Sequence, residues 1–135
     1  MSTPTEIAAK LYDALARHDA LATHDLLTDD FEGTVSAGMP LGVGGHHHGP
    51  TAMVKDVWGR VAAAYDIHVD PIEYLHVDHH RVVVTGRYWG TARSGHGDVD
   101  AAFAHIITTR DDRITALTQI TDTRRWNTPQ PDDAQ

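Results

Sequence analysis

The sequence predicts an α+β fold: a cone-shaped, curved antiparallel sheet with three N-terminal helices packed on its concave face. Three observations predict it. Apolar residues recur at helical spacing through the first half of the chain, they alternate at period two through the second half, and the change of period falls near Asp66. Runs of helix followed by runs of strand argue for α+β packing rather than alternating units. Long strands twist, so helices laid across their concave side leave a hollow at the open end.

The elements follow in order. Thr3-Pro4-Thr5-Glu6 reads as a helix start, with Thr3 as N-cap, Pro4 at N1 and Glu6 completing a capping box. Ile7, Leu11 and Leu15, with Ala8 and Ala14, then mark one apolar face. Asp19 caps a second, short helix with Leu21, Leu26 and Leu27 as its buried side, and Phe31 to Val35 forms a short strand. Residues 38–49 hold five glycines and read as a loop. Pro50 opens a third helix, with Met53, Val54, Val57, Trp58, Val61, Ala62 and Tyr65 as a wide apolar stripe. Ile67 to Val77 is extended, with Pro71 marking a bulge or an edge. Asp78-His79-His80 turns, Arg81 to Arg93 is a long strand, and Ser94 to Gly97, with His96, is a hairpin loop. Val99 to Arg110 and Ile114 to Trp126 complete a meander. His79, His80 and His96 are expected at the surface.

Composition narrows the function. The 135 residues suit one domain, expected over 1–126, with a disordered polar tail over 127–135. There is no cysteine, which removes disulfides and thiolate metal sites. The net charge of -8 argues against nucleic acid as a partner, because phosphate binding needs a basic surface. No run of about 18 apolar residues points to a membrane span, and the N-terminus lacks the pattern of a signal peptide. These features give cytoplasmic as the expected location.

Several stretches carry a family resemblance. They are Leu11-Tyr12-Asp13-Ala14-Leu15 with Leu26 to Phe31, His48-Gly49-Pro50-Thr51-Ala52-Met53, Gly86 to Thr91 with Phe103-Ala104-His105, and Asp112-Arg113-Ile114 with Gln119 to Thr123. Together they resemble the SnoaL-like polyketide cyclase and ketosteroid isomerase superfamily, with the nuclear-transport-factor-2-like fold. The resemblance covers Thr5 to Trp126. It implies a pocket for a small hydrophobic molecule and acid-base chemistry on a carbonyl compound, with no cofactor. A non-catalytic binding protein on the same fold is the alternative. Homodimer formation through the outer sheet face is also implied, with Ile114, Ala116 and Ile120 pointing outward.

Strand alternation places Ala101, Phe103 and His105 on one face, which the resemblance makes the concave one. An imidazole in an apolar pocket can donate to a developing oxyanion or move a proton, so His105 is the leading catalytic candidate. The ordinary alternative is a ring satisfied by a backbone carbonyl. Gln119 stands where cyclase-like members carry an acid/base aspartate, and an amide binds a carbonyl but shuttles no proton. No carboxylate occupies Thr34 to Ser36, the region matching the isomerase base. Asp122 is the remaining acid: alternation turns it to the side of Ile120, away from Gln119, so it orients His105 only through a bulge and otherwise pairs with Arg124 and Arg125. Tyr12, Trp58, Phe103 and Leu117 are expected to line the pocket, and Trp89, with Arg87, is favoured over Tyr88. His46-His47-His48 reads as a loop at the pocket mouth, with His48 on the ligand, or else as a solvated loop. No metal is expected there: consecutive residues rarely aim two ligands at one ion, and no nearby carboxylate completes a set.

Overall fold

The computed structural model describes residues 2–95 and 97–126. The tail expected over 127–135 and His96 lie outside the described residues. Helix α1 spans Pro4–Ala16 and opens with a capping box: Glu6 N–H donates to Thr3 Oγ1 and Thr3 N–H to Glu6 Oε1, each at 3.1 Å. Its inner face carries Ile7, Ala8 and Leu11, all essentially inaccessible to water. Burial on that scale is worth about 1.5–3 kcal/mol for each large side chain. Helix α2 spans Ala20–Asp25, with the Asp19 carboxylate accepting from Ala22 N–H.

The third helix covers residues 50–64 and is not uniform. It is α-helical over Pro50–Ala52, π-helical over Met53–Trp58 and α-helical again over Gly59–Ala64. Gly59 N–H reaches back five residues to the Val54 carbonyl, the bond that defines the wide turn. A Cβ on Gly59 would sit 2.9 Å from that carbonyl oxygen, so only glycine closes the turn without displacement.

Six strands form one curved, unclosed sheet: β1 Leu27–Val35, β2 Gly45–His48, β3 Tyr65–Asp78, β4 Arg81–Ala92, β5 Asp98–Arg110 and β6 Arg113–Thr121. Their order is β2-β1-β6-β5-β4-β3. All pairs are antiparallel except β1 with β6, which run parallel, so the sheet is mixed rather than purely antiparallel. The edge strand β3 is bulged between Pro71 and Glu73. A proline there removes no interior ladder bond.

Four expectations are corrected. Leu21 is 80% exposed and Leu27 belongs to β1, so α2 is shorter than the leucine spacing suggests. The glycine-rich segment holds strand β2, which pairs with β1. Strand β6 ends at Thr121, and Thr123–Trp126 turns helically to bring Trp126 back into the core. Finally, Thr115 is an extra residue between the pairs Thr109–Ile114 and Thr108–Ala116. This bulge flips the parity of β6, burying Ile114 beside Leu117 and Gln119 and leaving Ile120 as the exposed apolar residue of the strand.

Candidate active site: a neutral hydrogen-bonded cluster in an apolar cavity

A cavity of about 170 Å³ lies between the third helix, α1 and the inner sheet face. Met53, Val57, Trp58 and Val61 wall it on the helix side, and Val35, Ile67, Val69 and Leu117 on the sheet side. The π-helical turn contributes both Val54 and Trp58, which shows how the wide turn shapes this wall. His18, Asp19 and Ala20 line it where α1 passes into α2. The polar groups at its inner end are Tyr88, His105 and Gln119.

Strand register assembles that end. His105 sits opposite Gln119 on β6 and Val84 on β4. Its Nδ1 lies 2.8 Å from Tyr12 Oη, and its Nε2 lies 2.6 Å from Tyr88 Oη. Gln119 Nε2 donates to Tyr88 Oη at 3.3 Å, while Gln119 Oε1 accepts from Ser36 N–H at 3.3 Å. The Ser36 hydroxyl donates to the Gln119 carbonyl at 3.1 Å and accepts from Thr121 N–H at 3.1 Å. Phe103 stacks on the His105 ring with centroids 4.1 Å apart, and Tyr12 stacks at 5.8 Å.

The electrostatics follow from burial. Loss of water pushes the His105 imidazole down to about 3, so it is neutral at physiological pH. The same cause pushes the Tyr12 and Tyr88 phenols above their ordinary range. Asp19, the carboxylate among the lining residues, is already committed to Ala22 N–H and to Arg17. The inner end therefore offers neutral donors and acceptors. It can hold and polarise an oxygen, and among the described residues it contains no fixed charge.

The structure sorts the sequence candidates into three groups. His105, Gln119, Leu117 and Trp58 line the cavity. Tyr12 and Phe103 are buried behind them and touch the His105 ring. Trp89, Asp122 and His48 lie away from it. Trp89 is on the outer face, stacked on His68 and donating to Asp70 at 2.7 Å; Tyr88 takes the inner position. Its companion Arg87 is also outward, paired with Asp100. Asp122 is exposed just past β6, its N–H on the Ala102 carbonyl, because the bulge lies at Thr115 and not beside it.

The histidine run is likewise reinterpreted. Alternation along β2 puts His46 and His48 on one face, with Glu32 of β1 opposite His48 and in contact with both rings. One Glu32 oxygen contacts His46 Nε2 and the other lies 2.6 Å from His48 Nδ1, so the carboxylate thought absent is present. Each ring takes a separate oxygen, and among the described residues no group of three or more His, Cys, Asp or Glu is arranged to hold a metal.

Sequence reasoning missed Ser36 as a partner of Gln119, and Trp126, which lines the cavity and packs edge-on to Tyr88 at 5.1 Å. Tyr88 faces inward with Ala101, its partner across the hairpin, a pairing that the structure supplies. No local signal marked Trp126, which follows a strand break.

Comparison with known proteins agrees with this architecture. The SnoaL-like domain model matches residues 8–117. An NTF2-like protein from Burkholderia thailandensis is 28% identical, with a TM-score of 0.83 over 96% of this chain and 100% of that one. TerC, co-crystallised with polyporic acid, is 26% identical, with a TM-score of 0.81 over 93% of this chain and 96% of that one. A protein from Xanthomonas campestris, named as a candidate polyketide cyclase, is 19% identical with a TM-score of 0.79 over 91% and 93%, a likeness of fold. No curated protein matches the sequence. With four-fifths of its residues inside that match and the curved sheet, helices and pocket arranged as described, the chain belongs to the SnoaL-like domain family.

Proposed function

We propose that this protein binds a small hydrophobic carbonyl compound in the cavity and promotes its enolisation, isomerisation or cyclisation, the α-proton passing to Tyr88 Oη as the Tyr88 proton passes to His105 Nε2. The observation that carries the reading is the buried polar cluster Tyr88–His105–Gln119 at the inner end of a mainly apolar hollow, apart from His18, Asp19 and Thr23 where α1 passes into α2. A cavity of about 150 Å³ admits a benzene-sized guest, so about 170 Å³ suits a monocyclic body. The guest's oxygen would accept the second Gln119 amide proton, since an NH₂ group carries two and Tyr88 takes one. Fixed dipoles in a dry site stabilise charge developing on that oxygen. Co-crystallisation of TerC with polyporic acid supports a small-molecule guest.

A specific observation favours a second reading, binding without turnover. The His105 ring is a weak base at a pKa of about 3, and the inner end holds no carboxylate to replace it. One experiment separates the two. Cyclic enones are incubated with the protein in D₂O, and deuterium at the α-carbon is followed by mass spectrometry alongside binding by calorimetry. Exchange that His105→Gln slows by about 10²-fold supports enolisation. Saturable binding without exchange supports the binding module. No binding by any hydrophobic carbonyl compound refutes both.

A further inference from the structure

The heavy-atom positions around His105 impose an order on the hydrogens between them. Ser36 N–H can only donate, and its partner is Gln119 Oε1. That contact fixes the amide: oxygen toward Ser36, NH₂ toward Tyr88. An NH₂ group also only donates, so Tyr88 Oη accepts from Gln119. Tyr88 then has one proton to place, and His105 Nε2 lies 2.6 Å away. A separation that short is typical of an O–H donor and falls below the usual range of about 2.7–3.2 Å for an N–H donor to oxygen. The contact at Nδ1, 2.8 Å, falls within the range of an N–H donor. A neutral imidazole carries one proton, so accepting at Nε2 leaves that proton on Nδ1, donating to Tyr12 Oη.

We infer that Gln119, anchored by Ser36, is a positioning residue that holds His105 in its Nδ1–H tautomer by way of Tyr88. The protons run in one direction, Ser36 to Gln119 to Tyr88 to His105 to Tyr12, and each bond polarises the next. The tautomer follows from this geometry whether or not the protein turns over a carbonyl compound. Its bearing on function rests on the proposed carbonyl guest: with the Tyr88 proton engaged on His105, the donor left facing the cavity is the remaining N–H of Gln119.

The test is long-range ¹H–¹⁵N correlation NMR of the histidine rings in the guest-free protein. His105→Gln removes one ring's signals from the spectrum and so assigns them. The expected spectrum has a protonated-type Nδ1 and a bare-type Nε2. A protonated Nε2, or averaged shifts on both nitrogens, overturns the inference. Gln119→Glu, at a pH where ¹³C shifts show the new carboxylate ionised, accepts the Tyr88 proton and reverses the order, so the protonated-type shift moves to Nε2. Gln119→Met removes the donor at similar length and gives averaged shifts. Retention of the wild-type pattern in either folded variant overturns the role of Gln119, independently of any result with enones.

Discussion

Acidification from pH 7 to pH 5 should destabilise this protein through one ring. His105 is 4% exposed, and the groups facing it are Tyr12 from α1, Tyr88 and Phe103 from the sheet, and Gln119 from β6, none charged at these pH values. In the unfolded chain its pKa is about 6.5. In the native protein burial lowers it to about 3. Between those values the unfolded state binds a proton that the native state refuses, so stability falls as pH falls through this window and levels off below about 3. Integrating from pH 7 to pH 5 gives a loss of about 2 kcal/mol. With a urea dependence of about 2 kcal/mol per molar, the unfolding midpoint drops by about 1 M. The assay is urea unfolding at both pH values for the wild type and for His105→Gln. The variant is less stable at each pH, but every ionisable residue other than position 105 is common to both proteins, so the difference isolates this ring. The wild type should lose about 2 kcal/mol more than the variant. Equal losses would mean that the ring is not held dry, and the account of the site would fall with it.

Further outcomes are expected elsewhere. Gly86→Ala puts a Cβ 2.2 Å from the Asp70 carbonyl oxygen and 2.6 Å from the Phe103 ring, and thermal melting should reveal a loss of about 3 kcal/mol. Val57→Trp fills the cavity from its helical wall, so calorimetry should detect no binding of an enone that the wild type takes, with the far-ultraviolet spectrum unchanged. Trp89→Ala removes an outward ring and should cost under about 1 kcal/mol, with guest affinity within about twofold of wild type; a larger change in affinity would contradict its placement outside the cavity. For the outer sheet face we propose pairing with a second copy, with Ile120 central because it is apolar and 52% exposed beside Ala104. Light scattering should then give a dimer mass that Ile120→Asp halves.

Local rules reached the parts of this molecule that local physics controls. The capping box at Thr3, the apolar faces of α1 and the third helix, the bulge at Pro71 and the inward parity of His105 each depend on residues within a turn or a strand length. The family likeness carried the pocket with them. What the sequence left open was decided by pairings across more than 80 positions. Ser36 meets Gln119 only because β1 lies parallel beside β6, and Tyr12 meets His105 only because α1 crosses the sheet. A single bulge at Thr115 reversed Ile114 at the start of β6, and the unknown register of the β4–β5 hairpin exchanged Trp89 for Tyr88. Side chains alternate at period two, so one residue of register moves an entire set to the other face. That shift costs nothing in composition or periodicity, and only the packed structure fixes its value.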